Sequence, residues 1–231
     1  MNTEKNTYIL LYASVMVILV ALLLAYVSSA LRPQQARNEE IDKKRQMLAS
    51  LNIGSTNQNA EKLYAEAIVD SYVVNSEGDK VEGDAFEVSM AAELQKPLSE
   101  RNYPVFEASV NGQKEFILSM RGAGLWGPIW GYISLNDDRN TVFGASFGHE
   151  GETPGLGAEI EKPDFSQKFG GKKIFNSSGQ FTSIAIVKKG KTAEGRDYVD
   201  GISGGTITSR GVDAMLQASL EFYVPYLMKK E

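Results

Sequence analysis

Residues 106–120, Phe106-Glu107-Ala108-Ser109-Val110-Asn111-Gly112-Gln113-Lys114-Glu115-Phe116-Ile117-Leu118-Ser119-Met120, read as two strands joined by a tight turn. Phe106, Ala108 and Val110 alternate with polar residues, the period of a strand that turns one face to a core. Asn111-Gly112 supplies the pair that tolerates positive φ in a two-residue hairpin turn, and Glu115 to Met120 runs back. A second pair follows, Ile129 to Leu135 and Thr141 to Phe147, across the polar turn Asn136-Asp137-Asp138-Arg139-Asn140. Thr182 to Lys188 is predicted as a further strand.

Outside these strands the apolar period becomes helical. From Pro33 to about Ile53, Ile41, Met47, Leu48 and Leu51 form a stripe among charges, and Gly54 ends it. A second stretch from about Asn59 to Val69 carries Leu63, Ala67 and Ile68 on one side. These two are expected to lift the body off a membrane. The last element, about Ser209 to Leu227, spaces Val212, Met215, Leu216, Ser219, Leu220 and Tyr223 as a helix, with Pro225 expected to kink or end it. Antiparallel strands with helices at both ends of the chain predict an α+β domain.

Tyr8 to Leu31 carries no charge, and as a helix it spans about 36 Å, enough to cross a bilayer. Ser28-Ser29-Ala30 would suit a cleavage site, but the apolar run exceeds the ~7–15 residues of a signal peptide, so an uncleaved anchor is expected. The predicted organisation is a short tail (1–7), a transmembrane anchor (8–31), a helical connector (32–70) and a soluble domain (71–231). Arg32, Arg37, Lys43, Lys44 and Arg45 follow the anchor whereas Lys5 alone precedes it, which by itself places the body in the cytoplasm.

Composition narrows the chemistry. Among 231 residues, 24 Lys+Arg stand against 29 Asp+Glu, so nucleic acid is not an expected partner. The chain has no Cys, which removes disulfides, thiolate metal sites and a catalytic thiol. A single histidine, His149, removes multi-histidine metal sites, and no metal ligand set is predicted.

Three segments suggest chemistry. Gly201-Ile202-Ser203-Gly204-Gly205 fits G-x-S-x-G, the serine elbow of esterases, but His149 precedes Ser203 where the elbow fold needs it to follow. Ala185-Ile186-Val187-Lys188-Lys189-Gly190-Lys191-Thr192 loosely fits a phosphate loop. Its loop positions are apolar strand, and Ala193 to Asp200 offers no helix to hold phosphate. The third is Asp200 to Ser209, directly before the C-terminal helix. Its small residues allow close backbone approach, and a helix start offers free amides to an anion. A glycine-rich turn with Thr208 or Ser209 as N-cap reads the same residues without a ligand.

Asp200-Gly201-Ile202-Ser203-Gly204-Gly205-Thr206 resembles the D-G-x-[ST]-G-[AS]-T flavinylation signature, with Gly205 where alanine or serine is usual. His149-Glu150-Gly151-Glu152-Thr153-Pro154-Gly155-Leu156-Gly157 is similar to the [HE]-x-E-T-P-G-L-G loop of the same FMN-binding domain. Arg121 to Ile133, with Trp126 and Trp130, resembles the C subunit of the Na+-translocating NADH:quinone oxidoreductase more than the G subunit of the Rnf complex. The resemblance covers the whole chain. It implies covalent FMN esterified through its phosphate to Thr206, with Ser203, Gly204, Gly205 and Thr208 around the phosphate and Glu152, Thr153 and Leu156 beside the ring or ribityl chain. One tryptophan, in the first instance Trp126, would lie beside the isoalloxazine. Lys188 or Lys189 would pair with the phosphate. Asp200 is either recognised by the transferase or a turn-former.

The same resemblance implies a flavin transferase for maturation, working outside the cytoplasmic membrane, and therefore a periplasmic body, against the charge count. It implies electron transfer within a sodium-exporting membrane complex, with other membrane subunits as partners and ubiquinone and NADH as the complex's substrates. The isolated chain is not expected to oxidise NADH, since no dinucleotide fingerprint follows a strand. The alternatives are the Rnf G-type subunit and a noncatalytic tethered binding module.

Overall fold

A computed structural model describes residues 6–229. The expected tail falls largely on residues 1–5, which lie outside the described residues. The chain divides into two compact units, one ending at Lys43 and one beginning at Lys44. In chain order the elements are α1 (Asn6–Ser50), α2 (Ala60–Ala67), β1 (Ile68–Asn75), β2 (Lys80–Val81), α3 (Met90–Glu93), β3 (Asn102–Val110), β4 (Gln113–Ala123), β5 (Pro128–Asn136), β6 (Val142–His149), α4 (Pro163–Ser166), β7 (Ala185–Val187), β8 (Tyr198–Asp200) and α5 (Thr206–Met228).

The first unit is α1 up to Lys43. Its apolar stretch is long enough to cross a membrane and is exposed along its length, as a lipid-facing helix must be. Pro33 lies inside α1 and does not begin a new helix as expected. It forgoes one backbone hydrogen bond, and helix formers on both sides (Ala30, Leu31, Arg32, Gln34, Gln35, Ala36) carry the helix past it.

The second unit is built on a six-stranded antiparallel sheet of order β2-β1-β3-β4-β5-β6. The hairpin of residues 106–120 forms as predicted: Phe106 opposes Ile117 and Val110 opposes Gln113. Asn111 and Gly112 take φ of 53° and 80° at the turn. β5 and β6 pair as expected, with Ile133 opposite Ala145. β1 takes the last two residues of the predicted helix, Ile68 and Val69, and runs on to Asn75, where no element was predicted. α2 stops at Ala67, and the β-branched Ile68, Val69, Val73 and Val74 favour extended chain.

Both sheet faces are covered. Phe116, Leu118, Met120 and Ile133 pack into one core with Val212, Met215, Leu216, Leu220 and Tyr223 of α5. The alternate residues Phe106, Ala108 and Ile117 are fully buried on the other face. There the last turns of α1, with Met47 and Leu48 buried, are joined to β5 and β6 through Gln46 and Ser50. Ser134 Oγ donates to the Ser50 carbonyl, Ser146 Oγ to the Gln46 carbonyl at 2.7 Å, and Trp130 Nε1 to Gln46 Oε1 at 2.8 Å. The stripe read as a spacer therefore becomes core from Met47 onward.

Two further expectations change. The strand at 182–188 shrinks to β7, because Ser183 is left-handed (φ 55°), and it pairs in parallel with β8 outside the main sheet. α5 starts three residues before Ser209 and continues past Pro225 to Met228. Pro225 lacks one backbone donor, while buried Phe222, Tyr223, Tyr226 and Leu227 hold that end against the core.

Candidate functional site

The two sequence motifs meet at one buried carboxylate. Glu152 is 5% exposed, and its Oε1 accepts the backbone N–H groups of Leu125 at 2.7 Å and Trp126 at 3.0 Å. Its Oε2 accepts the Thr208 hydroxyl at 2.5 Å. Three segments are thereby tied together: the β4–β5 turn at 124–127, the loop after β6, and the first turn of α5. Gly124 and Gly157 make the approach possible, because a Cβ at either would strike the carboxylate. Burial raises the Glu152 pKa, but the hydrogen bonds from Thr208, Trp126 and Leu125, with His149 nearby, outweigh it and hold the group below the usual carboxylate range.

His149 is committed to the same loop. Its Nδ1 accepts the Glu152 amide at 3.2 Å, and its Nε2 lies 3.7 Å from Glu161 Oε2. That role and the chain order leave no serine triad around Ser203, which is exposed in the turn before α5. The phosphate-loop reading fails in three dimensions too: an irregular stretch and β8, not a helix, follow Lys188–Lys191.

Thr206 is the first residue of α5 and is exposed. The turn before it needs Gly204, at φ 79°. Gly205, buried against Ile202 and the backbone of Leu156, is the N-cap, and no side chain caps the helix. The expected caps Thr208 and Ser209 are used otherwise: Thr208 binds Glu152, and Ser209 Oγ accepts the Ile202 amide at 2.9 Å. The first-turn amides have no intrahelical acceptor and the turn holds no acidic residue of its own; the one carboxylate shown at this turn, Glu152, meets it through the Thr208 hydroxyl and not through those amides. Arg210 is exposed one turn further along.

The segments that Glu152 ties together carry apolar side chains that a folded domain normally buries. Leu125, Trp126, Leu156 and Ile207 are 43–68% exposed. Trp126 therefore departs from the default of a core residue, whereas Trp130 is half-buried and bonded to Gln46. A Cβ on Gly204 would touch Leu156 Cδ2, which places Leu156 over the turn before Thr206. Leu125 lies within the Arg121 to Ile133 motif without being singled out there, and Ile207 follows the flavinylation signature directly; their exposure marks both.

The remaining expected residues are placed less closely. Thr153 is exposed, and its carbonyl accepts the amides of Leu156 and Ala158, closing the loop. Asp200 ends β8, and its carbonyl accepts Lys168 Nζ at 3.2 Å. Lys188 and Lys189 are exposed in the turn after β7. The residues present fit a flavin phosphate: donors and a positive helix end for the anion, a hydroxyl at the same turn, and open apolar surface beside it.

The fold and site define an FMN-binding domain protein with a single apolar N-terminal helix, and the FMN-binding domain family matches residues 124–221. The C subunit of the Na(+)-translocating NADH-quinone reductase of Pseudomonas aeruginosa is 30% identical, over 93% of this chain and 91% of that protein. The Vibrio vulnificus protein of the same name is 32% identical over 86% and 85%. The crystal structure of the C subunit from Parabacteroides distasonis shares 54% identity and a TM-score of 0.83, covering 87% of this chain and 98% of that one. Shewanella oneidensis NqrC gives 26% and 0.65, over 82% and 94%. The chain belongs to the family formed by the C subunits of Na+-translocating NADH-quinone reductases.

Proposed function

We propose that this chain is the flavin-carrying electron-transfer subunit of a membrane Na+-translocating NADH-quinone reductase, with FMN joined by a phosphoester to Thr206. The observation that carries the reading is the position of Thr206: exposed, at the uncapped start of α5, next to the exposed Ile207 and on a turn that Glu152 ties to the segment of the exposed Leu125 and Trp126. The family membership supplies the complex and the cofactor class. α1 anchors the chain in the inner membrane, the body faces the periplasm, and other membrane subunits are its partners.

Bound FMN supplies the redox chemistry that the chain's own side chains lack. The chain fixes where that chemistry happens. Thr206 Oγ1 would provide the ester oxygen, and the first-turn amides of α5 with the Ser203 hydroxyl would hold the phosphate charge. Trp126, Leu125, Leu156 and Ile207 offer the flat apolar surface that an isoalloxazine covers, keeping water from one side of it. Attachment would need an activated donor such as a flavin dinucleotide: the Thr206 O–P bond would form as the phosphoanhydride P–O bond breaks, the nucleoside monophosphate leaving with that electron pair and a transferase base taking the hydroxyl proton. Asp200 and its neighbours present the segment that this transferase reads.

The test is ultraviolet fluorescence on a denaturing gel with peptide mass spectrometry, using the full chain coexpressed with and without a flavin transferase, beside Thr206→Ala. Fluorescence that survives denaturation, maps to Thr206 and requires the transferase is expected. A dark wild-type band with an active transferase would leave a membrane-tethered binding module.

A further inference from the structure

We infer that Glu152 is the positioning residue for cofactor attachment: its carboxylate, beneath the ligand surface, sets the first turn of α5 and the Trp126 turn in the relation that Thr206 modification requires. The inference rests on Thr206 being the attachment point. Sequence resemblance set Glu152 beside the flavin. In the structure both carboxylate oxygens are already engaged, Oε1 by two backbone amides and Oε2 by Thr208. All three partners donate, so the group works as an anion and as an acceptor only.

The path to Thr206 is short and covalently defined. Thr208 stands two residues along the same helical turn, so fixing its hydroxyl fixes the rotation of the turn that presents Thr206. The other oxygen fixes Leu125 and Trp126, whose side chains stay exposed while their amides are held. A single side chain thus orients both the hydroxyl to be modified and the aromatic surface beside it. Gly124 and Gly157 leave room for no atom that would displace the carboxylate. Removing Glu152 frees three donors at once, the buried Thr208 hydroxyl and two part-buried amides, and the segments then satisfy them separately with water. The sheet and α5 core, which Glu152 does not enter, remain packed.

The experiment uses the full chain in membranes, modified by a purified flavin transferase with a flavin dinucleotide, and reads the rate at which gel-stable fluorescence appears. Glu152→Ala is expected to slow loading at least tenfold at temperatures where circular dichroism shows the domain folded. Glu152→Gln keeps an oxygen for the two amides and an NH₂ that Thr208 Oγ1 can accept, and is expected to restore loading to within about threefold of wild type. Thr208→Val is expected to load slowly, and Thr208→Ser as wild type. Should Glu152→Ala fail to fold, the Thr208 pair decides, because valine keeps the shape and loses only the hydroxyl. Wild-type loading rates in Glu152→Ala, or in Thr208→Val if the alanine variant does not fold, would overturn the inference. Failure of Gln to rescue a folded, slow Glu152→Ala would do so as well. A wild-type chain that stays dark beside a transferase active on another substrate would instead overturn the flavin reading itself.

Discussion

Glu115 makes this domain sensitive to pH in an unusual direction. It lies on β4, is 1% exposed, and leaves Oε2 without a hydrogen-bond partner. Burial first, then Asp138 and Asp137, push its pKa from 4.5 to about 7. Because the folded-state value is the higher, the folded chain binds the extra proton between the two values. The contribution to stability is complete below about pH 4.5 and is lost as pH rises through about 7. At 1.36 kcal/mol per pKa unit the full difference is about 3 kcal/mol, and screening of the exposed aspartates by salt lowers it to about 2. For a chain of this size that is roughly 4 to 8 °C of melting temperature. Glu115→Gln removes the titration and keeps the shape. Melts of the detergent-solubilised chain followed by circular dichroism should show wild type losing several degrees between pH 5.5 and 8.5 and Glu115→Gln losing less. A wild-type curve flat over that range, or the same slope in the glutamine variant, would refute the reasoning.

Trp126→Ala removes an exposed ring and should change stability by under about 0.5 kcal/mol, while flavin fluorescence of the loaded chain rises as a quenching indole is lost; an unchanged quantum yield counts against an indole beside the flavin. Tyr223 is wholly buried, donates to the Pro104 carbonyl at 2.9 Å and accepts the Ser119 amide at 3.3 Å, so Tyr223→Phe should cost about 1 to 3 kcal/mol in denaturant titration without altering loading. Gly157→Ala drives a methyl into the Glu152 carboxylate and Thr208 Oγ1; loading should slow as in Glu152→Ala, and wild-type loading would show that the loop yields freely.

The hairpin at 106–120 was legible because its alternation and its Asn-Gly turn agree, and its register follows from both. β1 was not, since Leu63, Ala67 and Ile68 suit a helix face, and its pairing with β3 on one side and β2 on the other is set by the fold. The end of α1 misled for another reason. Met47, Leu48 and Leu51 read equally as the stripe of a spacer or as core, and the donors that settle it, Ser134, Ser146 and Trp130, lie more than eighty residues away. Thr206 and the Glu152 loop stood out from their motifs. The tie between them did not, because a carboxylate's three partners are set by the fold: two are backbone amides, which no side-chain pattern records.

That the tie is a carboxylate follows from what lies above it. Leu125, Trp126, Leu156 and Ile207 stand outside, so the segments that carry them are not held together by burying those side chains in one another. Apolar contact is also undirected, and would let the β4–β5 turn slide against α5. A buried anion is costly to leave without donors, and it accepts hydrogen bonds along preferred directions. Its three donors come from two separate segments, and its backbone from a third, so satisfying it leaves one arrangement of all three. The order that the open apolar surface cannot supply is supplied beneath it by Glu152.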